Sequence, residues 1–154
     1  MQPVNITHNG YLITTDKSLL QPVAIHKWLS EESYWAKHIP FELFKGSFDN
    51  SFTIGILKDD EQIAYARLIT DYATFAYLAD VYVLKEHRGQ GLSKLMMKEL
   101  LAIDWVQKLR RVMLATLDAK GLYTQFGFTD PKYPERLMEI TRPAIYGDTQ
   151  NPCK

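Results

Sequence analysis

The stretch from Leu78 to Leu101 constrains the fold more than any other part of the chain. Leu78-Ala79-Asp80-Val81-Tyr82-Val83-Leu84 reads as a buried strand, and Arg88-Gly89-Gln90-Gly91-Leu92-Ser93 reads as a glycine-bearing turn. Lys94-Leu95-Met96-Met97-Lys98-Glu99-Leu100-Leu101 continues it as an amphipathic helix. A helix N-terminus presents unpaired backbone N–H groups and the positive end of the helix dipole. Glycines at that point let an anion approach the main chain closely. The turn is therefore a candidate phosphate site between a strand and a helix.

The flanking sequence supplies a mixed α/β sheet. Tyr11 to Thr15 favours a first strand. Ser18-Leu19-Leu20-Gln21 fits a capping box, with Pro22 competing for the first turn, and the helix is expected to run to about Leu29. Ser30 to Pro40 is a loop rich in aromatic residues, including Tyr34 and Trp35. Pro40 can open a second short helix, Phe41 to Lys45, with Gly46 near its end. Phe52 to Leu57 and Gln62 to Ile69 are strands around a polar hairpin, and a turn at Asp71 to Thr74 leads into a third strand from Phe75 to Leu84. Three strands joined by short turns make an antiparallel meander.

After the glycine turn, a helix from Gln90 to about Trp105 carries Leu92, Met96, Leu100 and Ile103 on one face. A strand at Val112 to Thr116 then joins in parallel through the crossover. Asp118 to Phe128 reads as a short helix ending at Gly127, and Arg136 to Thr141 as a last short strand. One domain is expected over residues 1–154, with its core at about 9–143 and residues 146–154 as a polar, frayed tail.

Composition narrows the function classes. Lys+Arg and Asp+Glu are both 18, and the zero formal charge argues against an extended nucleic-acid surface. The single cysteine, Cys153, allows no intrachain disulfide and no cysteine zinc site, and a tail is a poor place for a nucleophile. The four histidines are scattered without ligand spacing, so no metal is expected. The start has no basic-then-apolar leader, and no apolar run approaches the roughly 20 residues of a membrane span. A cytoplasmic protein with no membrane or nucleic-acid partner is the expectation.

Two phosphate-binding patterns fail on this turn. A P-loop needs four residues between its glycine and a Gly-Lys-Ser/Thr, and the order here differs. The dinucleotide fingerprint needs a third glycine where Lys94 stands, and a doubly wound parallel sheet. Arg-x-x-Gly-x-(Gly/Ala), following a strand and opening a helix, does fit, with Ser93 as the small last residue. In this it resembles the acetyl-CoA motif of the GNAT acetyltransferases. Ala119 to Phe128 is similar to that family's Ala-x-x-Leu-Tyr-x-x-x-Gly-Phe, and the order of elements follows the family over most of the chain. Asp118 departs from it, where asparagine is common.

The resemblance implies a GNAT acyl-CoA N-acyltransferase fold, mostly antiparallel with splayed central strands and flanking helices. It implies that backbone N–H groups of Arg88, Gly89, Gln90, Gly91, Leu92 and Ser93 hold the pyrophosphate of acetyl-CoA. The strand before them would bulge near Asp80 to Tyr82 and diverge from Val112 to Thr116, with the pantetheine arm pairing against Val81, Tyr82 and Val83. An acetyl group would pass to a primary amine by direct attack. Tyr123 matches the family's general acid. Asp80 is the first candidate base and Asp71 the second; alternatively, Asp80 is a buried carboxylate paired with Arg67. The acceptor would enter near Tyr34, Trp35 and Asp71, where acidic and aromatic residues suit a cationic amine. Lining by Tyr34 and Trp35 competes with simple core packing of those rings. A homodimer follows the family's habit. The alternative from another class is a non-catalytic acyl-CoA-binding module on the same fold.

Overall fold

The computed structural model describes residues 1–147. Cys153 and nearly all of the expected tail lie outside them. The strands are β1 (Asn5–His8), β2 (Tyr11–Thr14), β3 (Phe52–Lys58), β4 (Glu61–Thr70), β5 (Phe75–Val83) and β6 (Arg111–Leu114). The helices are α1 (Pro22–Glu32), α2 (Phe41–Asp49), α3 (Leu92–Leu101), α4 (Asp104–Gln107) and α5 (Lys120–Thr124). The strands form one sheet in chain order. Pairing is antiparallel from β1 to β5, and β6 joins β5 in parallel.

Helices cover both faces. On one, α3 sets Met96, Met97 and Leu100 against Ile54, Ile56, Ile63 and Leu68. On the other, Ile25 and Leu29 of α1 and Phe44 and Phe48 of α2 pack over Leu57, Tyr65 and Tyr82. The alternating side chains of β3 and β4 serve both cores, which is why these strands read as nearly continuous apolar runs.

Several sequence expectations are corrected. β1 was not expected; its residues are largely exposed, and only Ile6 packs on the core. The signal for it is Asn9-Gly10, whose φ of 49° and 79° make a two-residue hairpin. The capping box at Ser18 does not form, because Asp16 caps a 3₁₀ turn through Ser18 N and α1 begins at Pro22. Gly46 lies inside α2 rather than at its end. The helix expected from Gln90 to Trp105 is divided: Ile103 is extended (φ −63°, ψ 130°), and Asp104, a residue suited to a helix start, begins α4. The strand expected at Arg136 to Thr141 is absent. Pro134–Arg136 is a 3₁₀ turn, and Leu137 onward is exposed with no strand beside it to complete a ladder.

Gly55, on β3, marks the tightest spot in the sheet. A Cβ there would lie 2.6 Å from Gln62 Nε2, 2.6 Å from Leu20 Cδ2 and 3.1 Å from Ala64 O. Gln62 is buried and held: its Oε1 accepts from Gln21 N and its Nε2 donates to Ala64 O. Gly55→Ala is expected to destabilise the fold by about 1–3 kcal/mol, the usual cost of overpacking, read as a lower urea midpoint at unchanged m.

Candidate active site at the bulge of β5

The register between β4 and β5 slips at one point. Tyr65 pairs with Tyr82 and Arg67 with Ala79, so Asp80 and Val81 together oppose Ala66. Asp80 has φ +56°, a left-handed conformation that an L-residue holds only when its surroundings fix it. They do so through both carboxylate oxygens. Arg67 Nε donates to Oδ2 at 2.5 Å and Trp35 Nε1 to Oδ1 at 2.8 Å, and the Asp80 side chain is 8% exposed. Arg67 also donates to Ser51 Oγ. The ion pair with Arg67, one of the two sequence readings of Asp80, is present. A carboxylate with both oxygens engaged by strong donors is a poor proton acceptor unless one donor leaves.

Two phenols flank this pair. Tyr65 is fully buried, and its hydroxyl has no hydrogen-bond partner among the described residues. Burial first, and then the Asp80 charge, hold the pKa values of Tyr65 and Tyr82 above the usual phenol range. Tyr82 turns its ring toward α1, where Trp28 stacks on it at 4.1 Å between centroids and 9° between planes. Trp35 leans on Trp28, and Tyr34 meets Trp35 edge-on at 5.0 Å. Ser33 fixes the start of this loop: its Oγ donates to Leu29 O and accepts from Ala36 N. Tyr34 and Trp35 remain 41% exposed each while packing on one another and, through Trp35, on Trp28.

β6 pairs with β5 only from Phe75 to Leu78. Ala79 to Val83 run on with no strand beside them on that side, which is the divergence the sequence resemblance implied. The β5 strand then feeds a 3₁₀ turn, Lys85–His87, and the glycine turn. Gly89 and Gly91 have φ of 77° and 74°, and a Cβ on either would meet nothing within 4 Å. No side chain caps α3, so its first N–H groups lack a side-chain cap partner. Arg88 folds back, donating from Nε to Val83 O at 3.0 Å. The Tyr11 hydroxyl donates to Gln90 Oε1 and lies 3.0 Å from His87 Nδ1, tying the turn to β2. Leu92 is buried and Ser93 lies in the first turn of the helix. The main chain from Arg88 to Ser93 thus offers an anion cradle, and the stretch 79–83 offers an open strand edge. Both fit a phosphorylated pantetheine arm.

Tyr123 lies on α5. It is buried in the cluster that includes Val81 and Val83. Burial foremost, then Tyr34 and Asp118, push its pKa up to about 12. Asp80 is hydrogen-bonded to Trp35, Trp35 meets Tyr34, and Tyr34 lies near enough to Tyr123 to raise its pKa, so these four form a chain of neighbours from the bulge to α5, while Tyr82 packs in the other core. Asp71 is not brought there. Its carboxylate accepts from the N–H groups of Ala73, Thr74 and Phe75 and from Thr74 Oγ1, which hold it well below the usual carboxylate range. Roughly 16 Å of extended strand separate Phe75 from Asp80. Asp71 organises a turn.

Tyr11, His87, Trp28 and Tyr65 were missed by sequence reasoning. Tyr11 and His87 are 76 positions apart, and nothing local to either announces the contact. Among the described residues, no group of three or more His, Cys, Asp or Glu could hold a metal, and no helix is long and apolar enough to cross a membrane.

The comparisons agree with this architecture. The model of the acetyltransferase (GNAT) family matches residues 23–128. A protein of Gibberella zeae named as a candidate acetyltransferase is 34% identical over 142 residues, covering 79% of this chain and 80% of its own. A crystal structure of a GNAT-family protein from Xanthomonas campestris is 48% identical and superimposes with a TM-score of 0.87, covering 93% of this chain and 99% of its own. A structure from Clostridium acetobutylicum described with acetyl-CoA shares the fold, at 15% identity and a TM-score of 0.58 over 85% of this chain and 94% of its own. The chain belongs to the GNAT acetyltransferase family, and that family draws its acetyl group from acetyl-CoA.

Proposed function

We propose that this protein transfers an acetyl group from acetyl-CoA to a primary amine of a small molecule or peptide, by direct attack and without an acyl-enzyme. The observation that carries the reading is the stretch Ala79 to Val83, open on its β6 side. It runs from the bulge at Asp80 toward the glycine turn, and Val81, Val83 and Tyr123 belong to one core cluster. An extended amide arm would pair with that edge as another strand does. The N–H groups of Arg88 to Ser93 would take the pyrophosphate. The backbone N–H near Val81 would stabilise the oxyanion that forms on the thioester carbonyl.

The acceptor would enter between Tyr34 and Trp35, whose exposed faces suit a cationic amine. Freeing an alkyl amine of pKa near 10.4 at pH 7 costs about 4–5 kcal/mol. With Asp80 engaged by Arg67 and Trp35, we assign it to holding the bulge, and the proton would leave through water. Tyr123, protonated at neutral pH, would donate a hydrogen bond to the departing sulfur.

The test is calorimetry with acetyl-CoA, followed by thiol release across polyamines, amino sugars, aminoglycosides and peptides with free N-termini or lysines. Binding and turnover on at least one amine are expected. Gly91→Val should weaken acetyl-CoA binding by about tenfold or more, because a β-branched residue at φ +74° is strained and its side chain fills the cradle. Binding without turnover on any amine would favour the non-catalytic module. Absence of binding would sink both.

A further inference from the structure

Two pivots flank one residue in the glycine turn. Gly89 and Gly91 both hold positive φ, and a Cβ on either would meet nothing within 4 Å. Glycine gives up more conformational freedom on being fixed than any other residue. A turn with two such pivots in open surroundings converges its N–H groups only if the residue between them is held from outside. That residue is Gln90.

Gln90 is exposed, yet its side chain is held. The Tyr11 hydroxyl donates to its Oε1 at 3.1 Å. A phenol has one proton to give. With that proton on Gln90, the Tyr11 oxygen accepts from His87 Nδ1 at 3.0 Å, which places the imidazole proton on that nitrogen. One hydroxyl thus ties the residue between the glycines and the last residue of the 3₁₀ turn before them. Arg88 is tied separately, from Nε to Val83 O, and buried Leu92 anchors the far side.

Tyr11 is itself fixed. It is 4% exposed and belongs to the core cluster of Met96 and Leu100. Its backbone pairs with His8 in the first hairpin. Lys58 Nζ lies 4.6 Å from its ring centroid, and His87 meets the ring edge-on. The anchor therefore belongs to the sheet, and the tethered turn to the entrance of α3.

We propose that Tyr11 is a positioning residue for acetyl-CoA. Through Gln90 and His87 it holds the turn from Arg88 to Ser93 in the shape that receives the pyrophosphate. This deepens, and rests on, the reading of that turn as the acetyl-CoA cradle. Tyr11 acts through the turn and not on the reacting atoms. It sets the fraction of unliganded protein whose turn is competent, and apparent affinity scales with that fraction. Loss of one neutral hydrogen bond changes such a fraction by about three- to tenfold.

Calorimetry of the intact chain with acetyl-CoA tests this. Tyr11→Phe should raise Kd about fivefold. Gln90→Met, which removes the accepting oxygen and keeps the backbone N–H, should also raise it. The double variant should bind no more weakly than Tyr11→Phe alone, because the first change already removes the bond that the second would break. S-acetylpantetheine, the same arm without the pyrophosphate, should bind all four proteins equally in NMR titrations. An unchanged Kd in Tyr11→Phe would overturn the proposal. So would additive losses in the double variant, or an equal loss for S-acetylpantetheine, which would mean general damage to the cleft. If Tyr11→Phe does not fold, Gln90→Met decides alone, its position being exposed. A wild-type chain that binds no acetyl-CoA would remove the cradle reading itself, and this inference with it.

Discussion

Tyr123→Phe is expected to lower kcat about 100-fold, within the range for loss of a positioned proton donor. KM for acetyl-CoA should move by no more than about twofold, because the lost interaction belongs to the departing sulfur rather than to the bound arm. The direction of the pKa shift decides what kind of donor this is. Burial beside Tyr34 and Asp118 raises the phenol to about 12. Set against a thiol near 8.5, full transfer from phenol to thiolate is uphill by about 5 kcal/mol. On the proposed reading Tyr123 would stabilise the sulfur chiefly as a hydrogen-bond donor, and solvent would complete the protonation. The acid form of Tyr123 is present below its pKa and lost as pH rises through about 12. The pH–kcat profile should thus show no alkaline fall from this residue below roughly pH 10. An enzyme with phenylalanine at this position and unchanged kcat would remove the role.

The second large effect is on stability. Arg67→Met leaves the Asp80 carboxylate in a site where its side chain is 8% exposed, with Trp35 Nε1 as its remaining side-chain donor. Stranding a buried charge costs about 3–5 kcal/mol, which denaturant melts would read directly. Adding Asp80→Asn should recover more than half of the loss. Asparagine keeps an oxygen for Trp35 and carries no charge to strand. The double variant also separates two roles for Asp80. If Asp80 holds the bulge, stability and acetyl transfer return together. If it takes the amine proton, stability returns and kcat does not.

Legibility in the sequence followed the range of each signal. Strands β3 to β5 are announced by apolar runs between polar turns, so the meander was readable. The glycine turn and the Leu122-Tyr123 segment are local patterns, and they led to the cleft. The β1 hairpin is written in Asn9-Gly10, but its first strand is largely exposed and carries little apolar pattern. Asp71 looked like a site carboxylate because its turn neighbours β5 in sequence; the strand's length puts it elsewhere. The Tyr11–His87–Gln90 contact and the Trp28–Tyr82 stack join residues tens of positions apart, and no window contains them. The Arg136 to Thr141 strand failed for a different reason. Its alternation is real, but a strand exists only with a neighbour, and pattern alone cannot supply one.

The identity of chain order and strand order has a consequence for how the molecule comes together. β3, β4 and β5 close through short local turns, a fast and inexpensive step for the chain. β6 reaches β5 only after the crossover through α3 and α4, and then pairs over four residues. On loop length alone, the seam between β5 and β6 is expected to form after the meander. Evolution of a new acceptor can rework that joint, and the loops beside it, without disturbing the meander that carries most of the fold.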